Sequence, residues 1–214
     1  MELLSYARLL NSEKSMYLKK VWVLVICFCT GISCINAQLP ARRLDTTMKV
    51  GKIGYRVSCT NKNADKNNIS ITPLGFDKDV REFSFEIKGR IGTAEVDDMN
   101  RDGFPDLVLY VFNNDSIPKG SVIGIASEKN ESVAPISLPD IFNDPKLRVG
   151  YKGNDVYFLM EGYLVRRFPV YPTEGGSPAP TSGTLMRQVQ YQVIPEERGG
   201  YKFKPLRSYD FTKP

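Results

Sequence analysis

The chain has 214 residues, and 29 lysines and arginines against 24 aspartates and glutamates give it a formal net charge of +5. No block of basic residues appears, so the charge excludes the usual pattern of a nucleic-acid-binding protein. The sequence contains no histidine, which excludes Ser-His and Cys-His nucleophilic pairs and histidine-ligated zinc. Because no pair of acidic residues stands out as a glycosidase pair, the composition favours a binding protein over an enzyme.

The N-terminus is predicted to be a targeting segment. Residues 16–20 are positively charged, and the apolar run 21–32 that follows is too short for a transmembrane helix. The small residue Ala37 suits cleavage before Gln38. Residues 1–37 are therefore predicted to be a signal peptide, with Met16 as an alternative start.

A single exported domain, residues 38–214, is predicted to remain in the periplasm or to be secreted. Removal of residues 1–37 takes away four basic and two acidic residues, so the net charge falls from +5 to +3. Lipidation at Cys34 is the alternative, disfavoured because glycine occupies the place where a leucine is usual. Of the four cysteines only Cys59 lies in the domain, where it ends an apolar alternating run, so we expect a buried free thiol and no internal disulfide.

Most of the domain alternates between apolar and polar residues, as β-strands do. The predicted strands are 52–58, 82–88, 107–112, 121–126, 155–161, 163–171, 185–194 and 201–206. Glu161-Gly162 is predicted to form a hairpin turn, residues 138–142 a short helix with Pro139 in its first turn, and residues 172–183 a long exposed loop. About eight strands predict an all-β domain, either an antiparallel β-sandwich or a barrel-like fold, whose exposed edge would allow a homodimer.

Residues 98–106, Asp-Met-Asn-Arg-Asp-Gly-Phe-Pro-Asp, carry side-chain oxygens at alternate positions before a β-prone run. Such oxygens are the ligands that Ca²⁺ prefers, and Gly103 would allow the sharp turn of a binding loop. The predicted metal ligands are Asp98, Asn100, Asp102 and Asp106. The loop is not an EF-hand, because its twelfth position is Leu109 rather than glutamate. The alternative is a plain turn, in which these side chains bond local backbone amides.

Three blocks of sequence together resemble a known family. The first is residues 94–108 around the Asp/Asn loop, the second is Arg-Arg-Phe-Pro-Val-Tyr at residues 166–171, and the third is Arg-Gln-Val-Gln-Tyr at residues 187–191. Across roughly residues 45–207 the chain resembles the periplasmic inhibitors of invertebrate-type lysozyme of Gram-negative bacteria. The resemblance implies an all-β domain that blocks the lysozyme by inserting a loop into the enzyme's cleft.

The loop that the resemblance implies is Lys119, Gly120, Ser121 and Val122. Members of the family present Ser, Gly and Tyr there; this chain keeps the glycine, with Lys119 in place of the serine and Val122 in place of the tyrosine. A glycosidase cleft offers two carboxylates, so the Lys119 ammonium could pair with one and the Ser121 hydroxyl could bond the other. The alternative is that residues 113–120 are only a hairpin connection.

Arg166 and Arg167 are neighbours in a predicted strand, so their side chains should point to opposite faces. We expect one to meet a carboxylate in a structural salt bridge and the other to be exposed, and Arg187 is also predicted to be structural. If the cleft-blocking interpretation fails, the alternative is a Ca²⁺-binding exported β domain with a structural or adhesive role. A carboxylate-based hydrolase is the least favoured interpretation.

Overall fold

The structure is a computed structural model, and it describes residues 43–113, 119–171, 185–197 and 199–212. These residues fall in one compact unit, Ala41–Pro214. The predicted signal peptide 1–37, with Met16 and Cys34, and the predicted loop 172–183 lie outside the described residues. Within the described ranges, no helix is long and apolar enough to cross a membrane.

The described fold consists of strands and a single 3₁₀ turn at Ile141–Asn143. The strands are β1 (Leu44–Val50), β2 (Ile53–Cys59), β3 (Asn67–Leu74), β4 (Phe83–Ile87), β5 (Arg90–Asp97), β6 (Asp106–Phe112), β7 (Gly120–Glu128), β8 (Ser132–Ser137), β9 (Val156–Met160), β10 (Tyr163–Pro169), β11 (Leu185–Pro195) and β12 (Tyr201–Thr212). The all-β prediction is confirmed. The eight predicted strands correspond to β2, β4, β6, β7 and β9–β12, whereas β1, β3, β5 and β8 were not predicted.

The strands form two sheets. One is antiparallel, in the order β1-β2-β3-β4, and the other has eight strands in the order β5-β6-β7-β8-β12-β11-β10-β9. The one departure from antiparallel pairing is between β8 and β12, which run parallel and pair only at Ile136–Tyr201 and Ser137–Lys202. The eight-stranded sheet is therefore two antiparallel arrays, β5–β8 and β9–β12, joined by a short parallel ladder.

The eight-stranded sheet curls around an apolar interior. Side chains from β6 to β12 fill this inner core, among them Tyr110, Leu164, Phe168, Tyr191 and Phe203. At the other side of the curl the arrays meet through side chains instead of a ladder. The Gly162 N–H donates to Asp97 Oδ2 at 3.1 Å, and further bonds between β7 and β9 are described below.

A second core lies where the four-stranded sheet packs on the outer face of β5–β7. Leu107, Leu109 and Val111 point into this outer core, whereas Val108 and Tyr110 point into the inner one. The alternation explains why β6 is a continuous apolar run, because both of its faces are buried. Cys59 is buried in the outer core as a free thiol, as predicted.

Two local predictions had different outcomes. The hairpin at Glu161-Gly162 is confirmed, because Met160 pairs with Tyr163 and both turn residues have positive φ values, 52° and 75°, as a two-residue hairpin turn requires. The short helix is displaced. Its cap is Asp140, whose carboxylate accepts from the Phe142 N–H, so Pro139 precedes the 3₁₀ turn rather than lying in it.

Candidate functional site

The residues of the implied inhibitory loop lie at the start of β7. Lys119 and Ser121 are exposed, Gly120 is half-buried, and Val122 is buried in the inner core opposite Tyr110. Side chains alternate along a strand, so Lys119 and Ser121 share one face while Val122 points to the other. A partner at this position would therefore meet Lys119 and Ser121, and Val122 supports them from inside.

The backbone of Gly120 is tied to β9. Its N–H donates to Asp155 Oδ2 at 3.3 Å, and its carbonyl accepts from the Tyr157 hydroxyl at 3.2 Å. A Cβ on Gly120 would lie 2.7 Å from the Tyr157 ring and 3.1 Å from the Phe112 ring. Only glycine allows β7 to come this close to the rings of Tyr157 and Phe112. Gly120 therefore holds its exposed neighbours, Lys119 and Ser121, in a fixed position.

Behind Gly120 lies a buried ion pair. Arg166 Nε donates to Asp155 Oδ1 at 2.8 Å, and the two side chains are only 5% and 0% exposed. The Tyr151 hydroxyl links them, because it donates to Asp155 Oδ2 at 2.7 Å and accepts from Arg166 at 2.8 Å. The rings of Tyr151, Tyr157 and Phe168 lie 4.9–5.5 Å from the guanidinium carbon. Every strong polar group of this cluster therefore has a partner, as a buried pair requires.

The environment keeps Arg166 charged and Tyr151 neutral. Burial alone would lower the pKa of Arg166, but Tyr157, Asp155 and Tyr151 outweigh that effect and raise its pKa. Burial, reinforced by Asp155, raises the pKa of Tyr151. The arginine therefore stays charged and the tyrosine stays neutral at any physiological pH.

The three arginines singled out in the sequence have structural contacts. Arg166 faces the inner core and its carboxylate, and Arg167 faces outward, where its Nε donates to Gln188 Oε1. Opposite orientations and the salt bridge of one arginine are thus confirmed. Arg187 pairs with Asp210 at 2.7 Å and donates to the carbonyl oxygens of residues 146, 147 and 149. Arg187 thereby links residues 146–149 to β11 and β12.

In the loop 98–106 the side-chain oxygens bond backbone amides. Asp98 accepts from the N–H groups of Asp102 and Gly103 at 3.0 and 2.9 Å. Asn100 Oδ1 accepts from the Asp102 N–H at 3.1 Å, and Asp102 Oδ1 accepts from the Phe104 N–H at 2.9 Å. These are the contacts of the plain-turn interpretation, and an ion would have to compete with them.

Asp106 is fully buried at the start of β6. Its Oδ2 accepts from the N–H groups of Met99 and Asn100, and its Oδ1 accepts from the Ser127 N–H, at 2.9–3.1 Å. Burial raises the pKa of Asp106 to about 7 although these three bonds favour the charged form. Its oxygens are used to close the loop and join it to β7. Among the described residues no group of three or more Asp, Glu or Cys side chains is placed to hold a metal ion, and the Ca²⁺ site stays a prediction.

The anchoring residues Tyr151, Asp155 and Tyr157 were not identified from the sequence. A signal for two of them was present in the hairpin turn. With Glu161-Gly162 as a two-residue turn, Tyr157 pairs with Arg166, and Asp155 precedes it on the same side of the chain. The carboxylate that Arg166 was expected to meet could therefore have been named by counting back from the turn.

Comparisons of the chain with protein-family models, with curated proteins and with solved structures found no match. The function therefore has to be argued from the sequence blocks and the geometry of the site.

Proposed function

We propose that the exported domain inhibits an invertebrate-type lysozyme by presenting Lys119 and Ser121 to the enzyme's cleft. The observation that carries this proposal is the fixed backbone between the two exposed side chains. Gly120 is bonded through Asp155 and Tyr157 to a buried ion pair. A binding residue whose backbone is already ordered loses less conformational entropy when the complex forms, which favours affinity.

The spacing of the exposed pair suits the chemistry of a glycosidase cleft. Residues two apart on a strand are separated by about 7 Å between Cα atoms. The catalytic carboxyl groups of glycosidases lie about 5–9.5 Å apart. The Lys119 ammonium can therefore pair with one carboxylate while the Ser121 hydroxyl donates to the other, and both contacts involve an ionised partner, which makes them stronger than neutral hydrogen bonds.

The test is lysozyme activity on cell walls with and without the purified 38–214 domain, using invertebrate-, chicken- and goose-type enzymes. We expect selective loss of the invertebrate-type activity. Lys119→Ala should weaken inhibition about tenfold or more, because a charge-assisted bond is lost, and Ser121→Ala should weaken it several-fold. Lys49→Ala, which removes an exposed lysine from β1, is the matched control and should leave inhibition unchanged. Absence of inhibition would reject the proposal. Full inhibition by both loop variants would show that Lys119 and Ser121 do not make the inhibitory contact.

A Ca²⁺-stabilised exported domain with a structural or adhesive role is the second candidate, and it is favoured because the Asp98 and Asn100 residues are only half-buried. An ion that binds only the folded state raises the melting temperature in proportion to the logarithm of its concentration. Melting curves with millimolar Ca²⁺ and with chelator should then differ. Identical curves would show that Ca²⁺ does not stabilise the domain, and they would not affect the inhibitor proposal.

A further inference from the structure

The outer face of the eight-stranded sheet is covered by the four-stranded sheet at one array and is partly exposed at the other. At β5–β7 it forms the outer core with the four-stranded sheet. At β9–β12 the outward side chains include Phe158, Arg167, Lys204, Arg207, Tyr209 and Phe211, and none of them belongs to either core. Lys204, Arg207 and Tyr209 are exposed, and Phe158, Arg167 and Phe211 are half-buried. We call this surface the β9–β12 face.

Two arginines on the β9–β12 face are held by buried glutamines. Gln188 and Gln190 are each 3% exposed, and their side-chain oxygens accept from the Nε atoms of Arg167 and Arg207. Arg167 also lies 4.8 Å above the Phe158 ring. The bonded atom is Nε in both arginines, and the paired terminal nitrogens of each guanidinium make no hydrogen bond to any described residue. This is the fork that binds a carboxylate with two parallel hydrogen bonds.

The charge of the β9–β12 face has one sign. Arg167, Lys204 and Arg207 lie on it, and the only acidic residue in the four strands is Asp210, which is paired with Arg187. A two-fold dimer through this face would repeat the same patch on both subunits and would oppose like charges. A second copy of the chain is therefore disfavoured as the occupant, and an anionic partner is favoured.

We propose that the β9–β12 face binds an acidic segment of another protein, with Arg167 and Arg207 each taking one carboxylate. Arginine, tyrosine and phenylalanine are enriched in protein interfaces, and they supply five of the six side chains that define this face. The two arginines are two strands and two residues apart, which places their Cα atoms about 12 Å from each other. In an extended segment, carboxylates four residues apart span about 13 Å, so the face fits acidic residues with that spacing.

The experiment is a titration of fluorescein-labelled decaglutamate with the purified protein, followed by anisotropy at low salt, with decalysine as the probe of opposite charge. The double variant Arg167→Gln, Arg207→Gln should lose on the order of tenfold or more in affinity. The matched control Lys49→Gln, Lys62→Gln removes two exposed charges from the other sheet and its loops and should stay within about twofold of the wild type. The pair Arg167→Lys, Arg207→Lys should recover only part of the loss, because lysine keeps the charge without the fork.

Several results would overturn the proposal. Equal loss of affinity in the control variant and the arginine variant, or wild-type binding by the lysine pair, would show that the protein binds decaglutamate through charge alone and not through the arginine forks. Tighter binding of polygalacturonate or of phosphatidylglycerol vesicles than of decaglutamate would assign the face to a glycan or a membrane instead. Arg207→Gln alone, at an exposed position, guards against a folding defect and should still weaken binding several-fold. The proposal is independent of lysozyme inhibition, which the arginine variants should leave unchanged.

Discussion

Replacing Asp155 with alanine tests the buried ion pair that holds Gly120. The change leaves the Arg166 charge in a core where its side chain is 5% exposed, and it removes the acceptor of the Tyr151 hydroxyl. Removal of one member of a buried ion pair costs about 3–5 kcal/mol of folding free energy. For a domain of this size each kcal/mol lowers the melting temperature by about 2–4 °C, so we expect a fall of about 6–20 °C.

The assay is thermal and urea unfolding followed by circular dichroism. Asp45→Ala removes a carboxylate from an exposed pair with Arg56 and serves as the control, which should leave the midpoint almost unchanged. The double variant Asp155→Leu, Arg166→Met removes both buried charges. It should recover much of the lost stability, because apolar side chains of similar volume can replace a buried pair without an unpaired charge.

Two results would refute this reasoning. A loss of less than about 1 kcal/mol in Asp155→Ala would mean that water or another group satisfies Arg166 as well as the carboxylate does. A double variant as unstable as the single one would mean that packing, and not the unpaired charge, accounts for the loss.

Three further predictions concern Gly120, Asp106 and Cys59. Gly120→Ala places a Cβ 2.7 Å from the Tyr157 ring and should cost about 1–3 kcal/mol in urea unfolding; a neutral result would show that the ring moves aside freely. Because the pKa of Asp106 is raised to about 7 from about 3.9 in an unfolded chain, the folded state binds more protons between these values, so stability should fall as pH rises from about 4 to 7 and Asp106→Asn should flatten that slope. A wild-type slope of opposite sign would contradict this. Burial raises the pKa of Cys59, so a thiol reagent should label it only after unfolding, and rapid labelling of the native protein would count against its burial.

The strands that could be predicted from the sequence are those in which one face, or both, is strongly apolar. β6 was recognised from its continuous apolar run, and β9 and β10 were recognised from the hairpin turn Glu161-Gly162 that lies between them. Three of the four strands that were not predicted carry a local contrary signal: β8 contains Pro135, β5 contains Gly92 beside a register shift, and β3 begins with two asparagines. Such residues weaken a strand pattern, and in this fold the packing of neighbouring strands outweighs them.

The candidate site was less predictable than the strands. Exposure of Lys119 and Ser121 and burial of Val122 follow from alternation, once the start of β7 is known. The bonds from Gly120 to Asp155 and Tyr157 join residues that are 35 and 37 positions apart, and no local pattern encodes that contact. No local pattern encodes the parallel pairing of β8 with β12 either, because it depends on where the last strand meets the β5–β8 array.

The two arrays of the eight-stranded sheet meet at two places, and the short ladder between β8 and β12 is the first of them. Each array pairs strands that are mostly neighbours in sequence and can form from local contacts, whereas Ile136 and Tyr201 are distant in the chain and should meet late in folding. The second place is on the opposite side, where Gly120 of β7 is bonded to Asp155 and to Tyr157 of β9. Gly120, which holds Lys119 and Ser121 in position, thus also helps to close the eight-stranded sheet. A partner bound there should slow the opening of the whole interior. Amide exchange would register that slowing at Tyr201 as well as at Gly120.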